Sequence, residues 1–239
     1  MRTLDWDGAN NIRDLGGLDT PLSATGATRW GRVARGPRRE ALSASGWEAA
    51  SAWGLRSVVD LRNVDEAGTR ESDPGALPPD GLVITATPTE DRDDPEFRAV
   101  CLPILGSPEY WQHNVRILPG LVRGALEAIA ASEPGVLVHC SAGRDRTGMV
   151  TALLLANAGV SAADVFADYS ESVRAMAGAA LRGGATDDWQ AEWAPEQVDA
   201  WLVEIEPHVR EFVADPDAVF ARLGVSAGTR ATLLSLLTV

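Results

Sequence analysis

Hydrophobic and polar positions change their spacing several times along the chain, and each change marks a different element. Arg56 to Leu61 (Arg-Ser-Val-Val-Asp-Leu) has the β-branched density of a buried strand, and Leu82 to Ala86 reads the same way. Gly135-Val-Leu-Val-His-Cys is a short apolar run with the character of a central strand. Two weaker extended segments come earlier: residues 10 to 17, which end in a glycine pair and run into a turn, and Arg32 to Arg35. Helical spacing predicts Ser45 to Trp53, with Ser45 and Glu48 as a capping box and Gly54 as the stop. From Pro108 to Ala131 the positions Val115, Leu118, Leu121, Val122, Leu126 and Ile129 recur at helical spacing, with Pro119 breaking or kinking the run. Thr147 to Ala158 is a further helix, and Ser161 with Asp164 offers a capping box for the next. After Pro195, suited to a first helical position, Val198, Trp201, Leu202, Ile205, Val209 and Phe212 form one apolar face interrupted at Pro207.

Strands alternating with helices, then a helical C-terminal half, predict an α/β fold with a central sheet of about four or five strands flanked by helices. The expected organisation is one domain over residues 1–239. Ser72 to Gly81, with three prolines, is a loop, and the alanine- and glycine-rich stretch 174–194 is an insertion or lid.

A chain of 239 residues can bury a sizeable core without staples. The formal net charge of −13 opposes nucleic acid and anionic membrane surfaces, so a phosphate site must be basic locally. Every basic side chain other than histidine is arginine, which reads first as a compositional bias, although arginine also suits bidentate phosphate contact. Most of the eight tryptophans are expected in the core, with a few available to line a pocket. The opening residues lack an apolar signal core, and the longest apolar run, Met149 to Ala156 around Thr151, is too short to span a membrane. Only Cys101 and Cys140 occur, which fits a reducing cytoplasmic setting, non-classical secretion being left open. Oligomeric state is not legible.

The chemistry concentrates in His139-Cys140-Ser141-Ala142-Gly143-Arg144-Asp145-Arg146-Thr147-Gly148, between the central strand and a helix. A helix start offers unpaired N–H groups and the positive end of the dipole, which together bind an anion. A free thiol pKa of about 8.5 falls to roughly 3.5–7.5 at such a place beside an arginine, so Cys140 is expected as a thiolate nucleophile. Arg146 can curl back to clamp two phosphoryl oxygens and stabilise their transition-state charge. Ser141, Ala142, Gly143 and Arg144 supply the cradle, with Gly143 allowing the curvature and Gly148 the close packing of the helix. Arg144 is expected to project towards substrate, and the Thr147 hydroxyl to donate to the sulfur as it leaves in a second step.

A cysteine, five residues, then arginine, threonine and glycine resembles the phosphate loop of the protein tyrosine phosphatase superfamily. The whole stretch is similar to the bacterial tyrosine phosphatase family of the secreted mycobacterial B type. Asn11-Ile12-Arg13-Asp14-Leu15-Gly16-Gly17, Val58-Val59-Asp60-Leu61-Arg62 and the continuation through Asp168-Tyr169 match as well, so the resemblance covers roughly residues 8 to 175. Arg144 stands where related enzymes often carry lysine, keeping the charge with a different geometry. The resemblance implies a mostly parallel sheet, a phosphocysteine intermediate, no metal and no cofactor. Phosphotyrosine in a protein is the implied substrate. A phosphoinositide or small phosphate ester on the same loop is an alternative, and a non-catalytic phosphate-binding module is another.

The superfamily's separate Trp-Pro-Asp acid loop is absent from the sequence. Asp145, inside the phosphate loop as in that family, is therefore the expected general acid and later base, with the acidic stretch Glu90-Asp91-Arg92-Asp93-Asp94 as rival. Read blandly, that stretch is solvated surface. His139 is expected to orient the loop, and Asp60 and Arg62 to brace it. Arg13 and Asp14 stand evenly between a structural ion pair and a site wall. Cys101 is expected in the core, and His113 and His208 on helix surfaces or in packing, because no metal-ligand spacing surrounds them.

Overall fold

The computed structural model describes residues 2–178 and 189–239. Five strands, β1 (Arg13–Asp14), β2 (Val33–Gly36), β3 (Ser57–Asp60), β4 (Val83–Ala86) and β5 (Val136–His139), form one sheet in the order β1-β2-β5-β3-β4. Among these five strands the β1–β2 pairing is antiparallel and the others are parallel. β5 lies at the centre, so Cys140 leaves the sheet between β2 and β3, at the carboxyl end where parallel sheets hold ligands.

The period of two explains how so short a strand serves two cores. Val136 and Val138 of β5, with Val59 of β3, enter the larger cluster, while Leu137 and Val58 face the smaller one. The smaller cluster is closed by α1 (Ala44–Trp53) through Trp47 and Ala50, together with Trp6. The larger is built from α2 (Pro95–Val100), α3 (Tyr110–Ile117), α4 (Pro119–Ala131), α5 (Asp145–Asn157), α6 (Ala162–Met176), α7 (Pro195–Val213), α8 (Pro216–Leu223) and α9 (Ala227–Thr238). Within it α5, directly downstream of the phosphate loop, is buried along almost its whole length.

Local differences from the sequence reading have clear causes. The cap of α1 is Ser43, whose Oγ accepts from Gly46 N, because Ser43 and Ser45 are both drawn to Asp7 Oδ2. Pro119 does break the helical run, as expected: α3 ends at Ile117 and Pro119 opens α4, its missing N–H being harmless at that position. Pro207 fails to interrupt α7, which runs through it. Ser161 does cap α6, accepting from Asp164 N. Of the stretch read as an insertion or lid, residues 179–188 lie outside the described residues, and Arg174 to Met176 belong to α6. Among the described residues no helix is long and apolar enough to cross a membrane.

Candidate active site

The loop from Cys140 to Arg144 is shaped by what its carbonyls bond to. Ser141 O accepts from Arg38 N at 3.0 Å. Ala142 O and Gly143 O accept from Asn11 Nδ2 at 3.1 and 3.2 Å, and Gly143 O also accepts from Arg35 Nη2 at 2.9 Å. Three successive carbonyls are thus turned outward. In a trans planar peptide the next N–H points the opposite way, so those of Ala142, Gly143 and Arg144 face the loop's interior. Gly143 makes the curve possible with φ +72°, and a Cβ there would lie 2.5 Å from Gly36 O.

Above the loop opens a cavity of about 570 Å³, lined by Cys140, Ser141, Ala142, Arg144, Asp145 and Arg146 from the expected set. Arg38, Arg70, Arg92, Glu90, Leu105 and Trp189 add further walls. Five arginines line it with two carboxylates, and Glu66 and Asp73 pair with Arg146 and Arg38, which leaves a small local excess of positive charge in a chain of net charge −13.

Arg146 is gripped end-on by Glu66, from the short 3₁₀ turn Val64–Glu66, through both Nη atoms. That leaves its Nε edge, 3.7 Å from Glu90 Oε1, to meet a ligand. Glu90 is buried, not solvated surface as the acidic stretch was read. Burial pushes its carboxyl up, against the pull of Arg146 and Arg92.

Asp145 opens α5. Arg144 Nε donates to both its oxygens, at 3.1 and 3.2 Å, and Tyr169 Oη donates to Oδ1 at 3.0 Å. Arg144 lines the cavity and is held in place there: it is buried, donates to Gln190 Oε1 and sits 5.6 Å over the Trp189 ring. Thr147 Oγ1 is buried and makes no hydrogen bond, so the expected bond to the sulfur is not formed here. Gly148 is required because a Cβ would fall 2.8 Å from the Tyr169 ring and 3.0 Å from Trp111.

His139 is buried beside the loop. Nδ1 faces Cys140 O at 3.0 Å and therefore carries the proton, which leaves Nε2 to accept from Arg39 Nη1 at 3.3 Å. Burial pushes its pKa down to about 4, in spite of the neighbouring Asp60. Asp60 accepts from Arg62 Nε at 2.9 Å and Arg39 Nη1 at 2.5 Å. Burial alone would raise that carboxyl, but the bonds from Arg62, together with His139 and Arg39, hold it far below the usual range.

Arg13 and Asp14 part company. Asp14 accepts from Gly16 N, Gly31 N and Trp53 Nε1, so it is a turn-holding residue and neither wall nor partner of Arg13. Arg13 bonds Asp168 and Asn11 behind the loop. Arg35 joins the same acid, with Nη1 2.5 Å from Asp168 Oδ2. Burial and the nearby Arg13 push its pKa down to about 10. Cys101 is a fully buried thiol, pushed up to about 11 by burial and Glu90, and stands apart from the loop chemistry. His113 and His208 are half-buried on α3 and α7.

Sequence reasoning missed Glu66, Arg35, Asn11 and Tyr169 as parts of this site. Asn11 and Tyr169 lay inside stretches already singled out, whereas no spacing rule marks Glu66 or Arg35.

A cysteine directly after the central strand, amides curled inward and an arginine in the first turn of a buried helix form a loop suited to holding an anion. The model of the tyrosine phosphatase family matches residues 4–220, and the chain belongs to that family. It is 32% identical over 179 residues to a candidate tyrosine-protein phosphatase of Cupriavidus necator, covering 71% of this chain and 62% of that protein. It is 29% identical over 202 residues to the triple specificity protein phosphatase PtpB of Mycobacterium tuberculosis, covering 72% and 70%. Similarity to a tyrosine-protein phosphatase of Nostoc commune is 32% over 136 residues, covering 55% and 45%. The chain thus matches less than two thirds of the first and third of these relatives.

Proposed function

We propose that this chain is a metal-free phosphatase acting on phosphotyrosine in proteins, with Cys140 as nucleophile and one catalytic domain over residues 1–239. The observation that carries the reading is the ring of inward amides between Cys140 and an Arg146 oriented by Glu66. The Cys140 thiolate attacks phosphorus and the P–O bond to the leaving group breaks. Asp145 gives that oxygen its proton. Water then attacks the phosphocysteine, its proton passes to Asp145, the S–P bond breaks, and inorganic phosphate leaves. Ser141, Ala142, Gly143 and Arg144 hold the phosphoryl oxygens with Arg146. The intact Cys140, Asp145 and Arg146 argue against a module that only binds.

A broader range of esters is a second reading, favoured by Arg38, Arg70 and Arg92 in the cavity wall, which suit an additional anionic group such as that of a phosphoinositide. The relative named for triple specificity points the same way. A cytoplasmic setting remains part of the proposal.

The test is hydrolysis of an aryl phosphate in EDTA by the protein and by Cys140→Ser. Turnover that survives chelation, falls at least about a thousandfold in the variant and leaves the variant binding phosphopeptide supports the reading. Loss of turnover in EDTA, or an active serine variant, overturns it. A panel of phosphotyrosine peptide, phosphoserine peptide and phosphoinositide separates the two substrate readings.

A further inference from the structure

Tyr169 is almost fully buried on α6, yet its hydroxyl reaches a residue of the catalytic loop: Oη donates to Asp145 Oδ1 at 3.0 Å. The ring cannot drift. Trp111 meets it edge-on at a centroid distance of 5.1 Å, and the missing Cβ of Gly148 leaves the space that it fills. A side chain in the first turn of a helix still chooses between χ1 rotamers, so the groups it bonds, Tyr169 Oη and Arg144 Nε, decide where its carboxyl sits.

We propose that Tyr169 is a positioning residue for the reaction, fixing the Asp145 carboxyl and assigning the transferable proton to Oδ2. The inference rests on the reading of Asp145 as proton carrier. Oδ1 accepts from both the phenol and Arg144 Nε, whereas Oδ2 has the longer Arg144 contact at 3.2 Å, so a proton taken from water resides on Oδ2 and is given up from there. The phenol keeps its own proton throughout, since burial and then the Asp145 charge hold it well above the ordinary range. Among the described residues, Arg144 is bonded to this carboxyl, and Cys140, Glu90, Arg38, Arg70, Arg92 and Arg146 line the same cavity.

The experiment compares two aryl esters that differ in their need for a proton, phenyl phosphate and p-nitrophenyl phosphate. Tyr169→Phe keeps the packed ring and removes only the hydroxyl. It is expected to lower kcat on phenyl phosphate about tenfold, with KM unchanged and p-nitrophenyl phosphate turnover within about twofold. Because the ratio of the two substrates does not depend on the fraction folded, partial misfolding does not mimic this result. Asp145→Asn should show a larger selective loss, and adding Tyr169→Phe to it should cost nothing more. A selective loss in Asp145→Asn with equal or no losses in Tyr169→Phe overturns the positioning role alone. No selectivity in Asp145→Asn overturns the Asp145 reading and the inference with it.

Discussion

Glu66 meets Arg146 end-on: its Oε1 accepts from Nη2 at 2.8 Å while Oε2 accepts from Nη1. The pairing occupies one edge of the guanidinium and fixes the direction of the other. Arg146 itself is nearly buried, and Glu66 is partly so. A charge-assisted bond to a charged group contributes about 1.5–3 kcal/mol, and here that energy is spent on orientation. Glu66→Gln retains one acceptor and loses the charge. It is expected to weaken inhibition by inorganic phosphate about tenfold, measured as Ki. An unchanged Ki would show that Arg146 is oriented by its own packing.

His139 gives stability a pH dependence. Its pKa is about 4 in the fold against 6.5 for the ordinary imidazole, so the unfolded chain binds the extra proton between those values. Stability is then lost as pH falls from about 6.5 to about 4, by about 3 kcal/mol in all. Asp60, whose carboxyl is held low, adds its own loss only below the ordinary carboxylate range. Denaturant titrations across this window should give a falling midpoint for the protein and a flatter one for His139→Asn.

How far the sequence could be read follows from what each feature depends on. The strand carrying Cys140 and the helix after it were legible because burial and the loop motif are local. The sheet's parallel order, by contrast, came from resemblance. The anchoring of Arg144 was not legible, since it depends on Trp189 and Gln190, 45 and 46 residues downstream, as the contacts with both show. Asp14 was misread for a similar reason: its partners Gly31 and Trp53 reach it only through the fold. Glu66 and Arg35 carry no periodic signal, because a lone charged residue looks the same in solvent as beneath a guanidinium.

Two glycines predict opposite outcomes for one substitution. At Gly143, φ +72° and a Cβ position 2.4 Å from the Gly36 carbonyl carbon leave no room, and the neighbour is backbone that cannot turn aside. Gly143→Ala is expected to lose at least about 1–3 kcal/mol of stability and most turnover. Gly124 sits within α4 with nothing inside 4 Å of the added Cβ. Gly124→Ala should therefore stabilise by about 0.5–1 kcal/mol with activity unchanged. Thermal melts of both variants, read beside p-nitrophenyl phosphate assays, check the pair; a Gly143→Ala protein as stable and active as the parent would refute the loop geometry.

Asp168 holds three arginines at once: Arg2 Nη1 at 2.7 Å, Arg13 Nε at 2.8 Å and Arg35 Nη1 at 2.5 Å. Burial would raise its carboxyl, but Arg13 and Arg35 hold it far below the usual range. Both arginines continue to the phosphate loop, Arg35 directly to Gly143 O and Arg13 through Asn11. Asp168→Asn leaves those two buried cations without their shared counter-charge, a change that costs about 3–5 kcal/mol. For a chain of this size that corresponds to a drop in Tm of about 10 °C. Because the cations hold the loop carbonyls outward, the surviving folded protein should also bind phosphate more weakly. Calorimetry and phosphate Ki measured below the new Tm separate the two effects. A shift under about 2 °C would mean that solvent reaches the cluster and screens it.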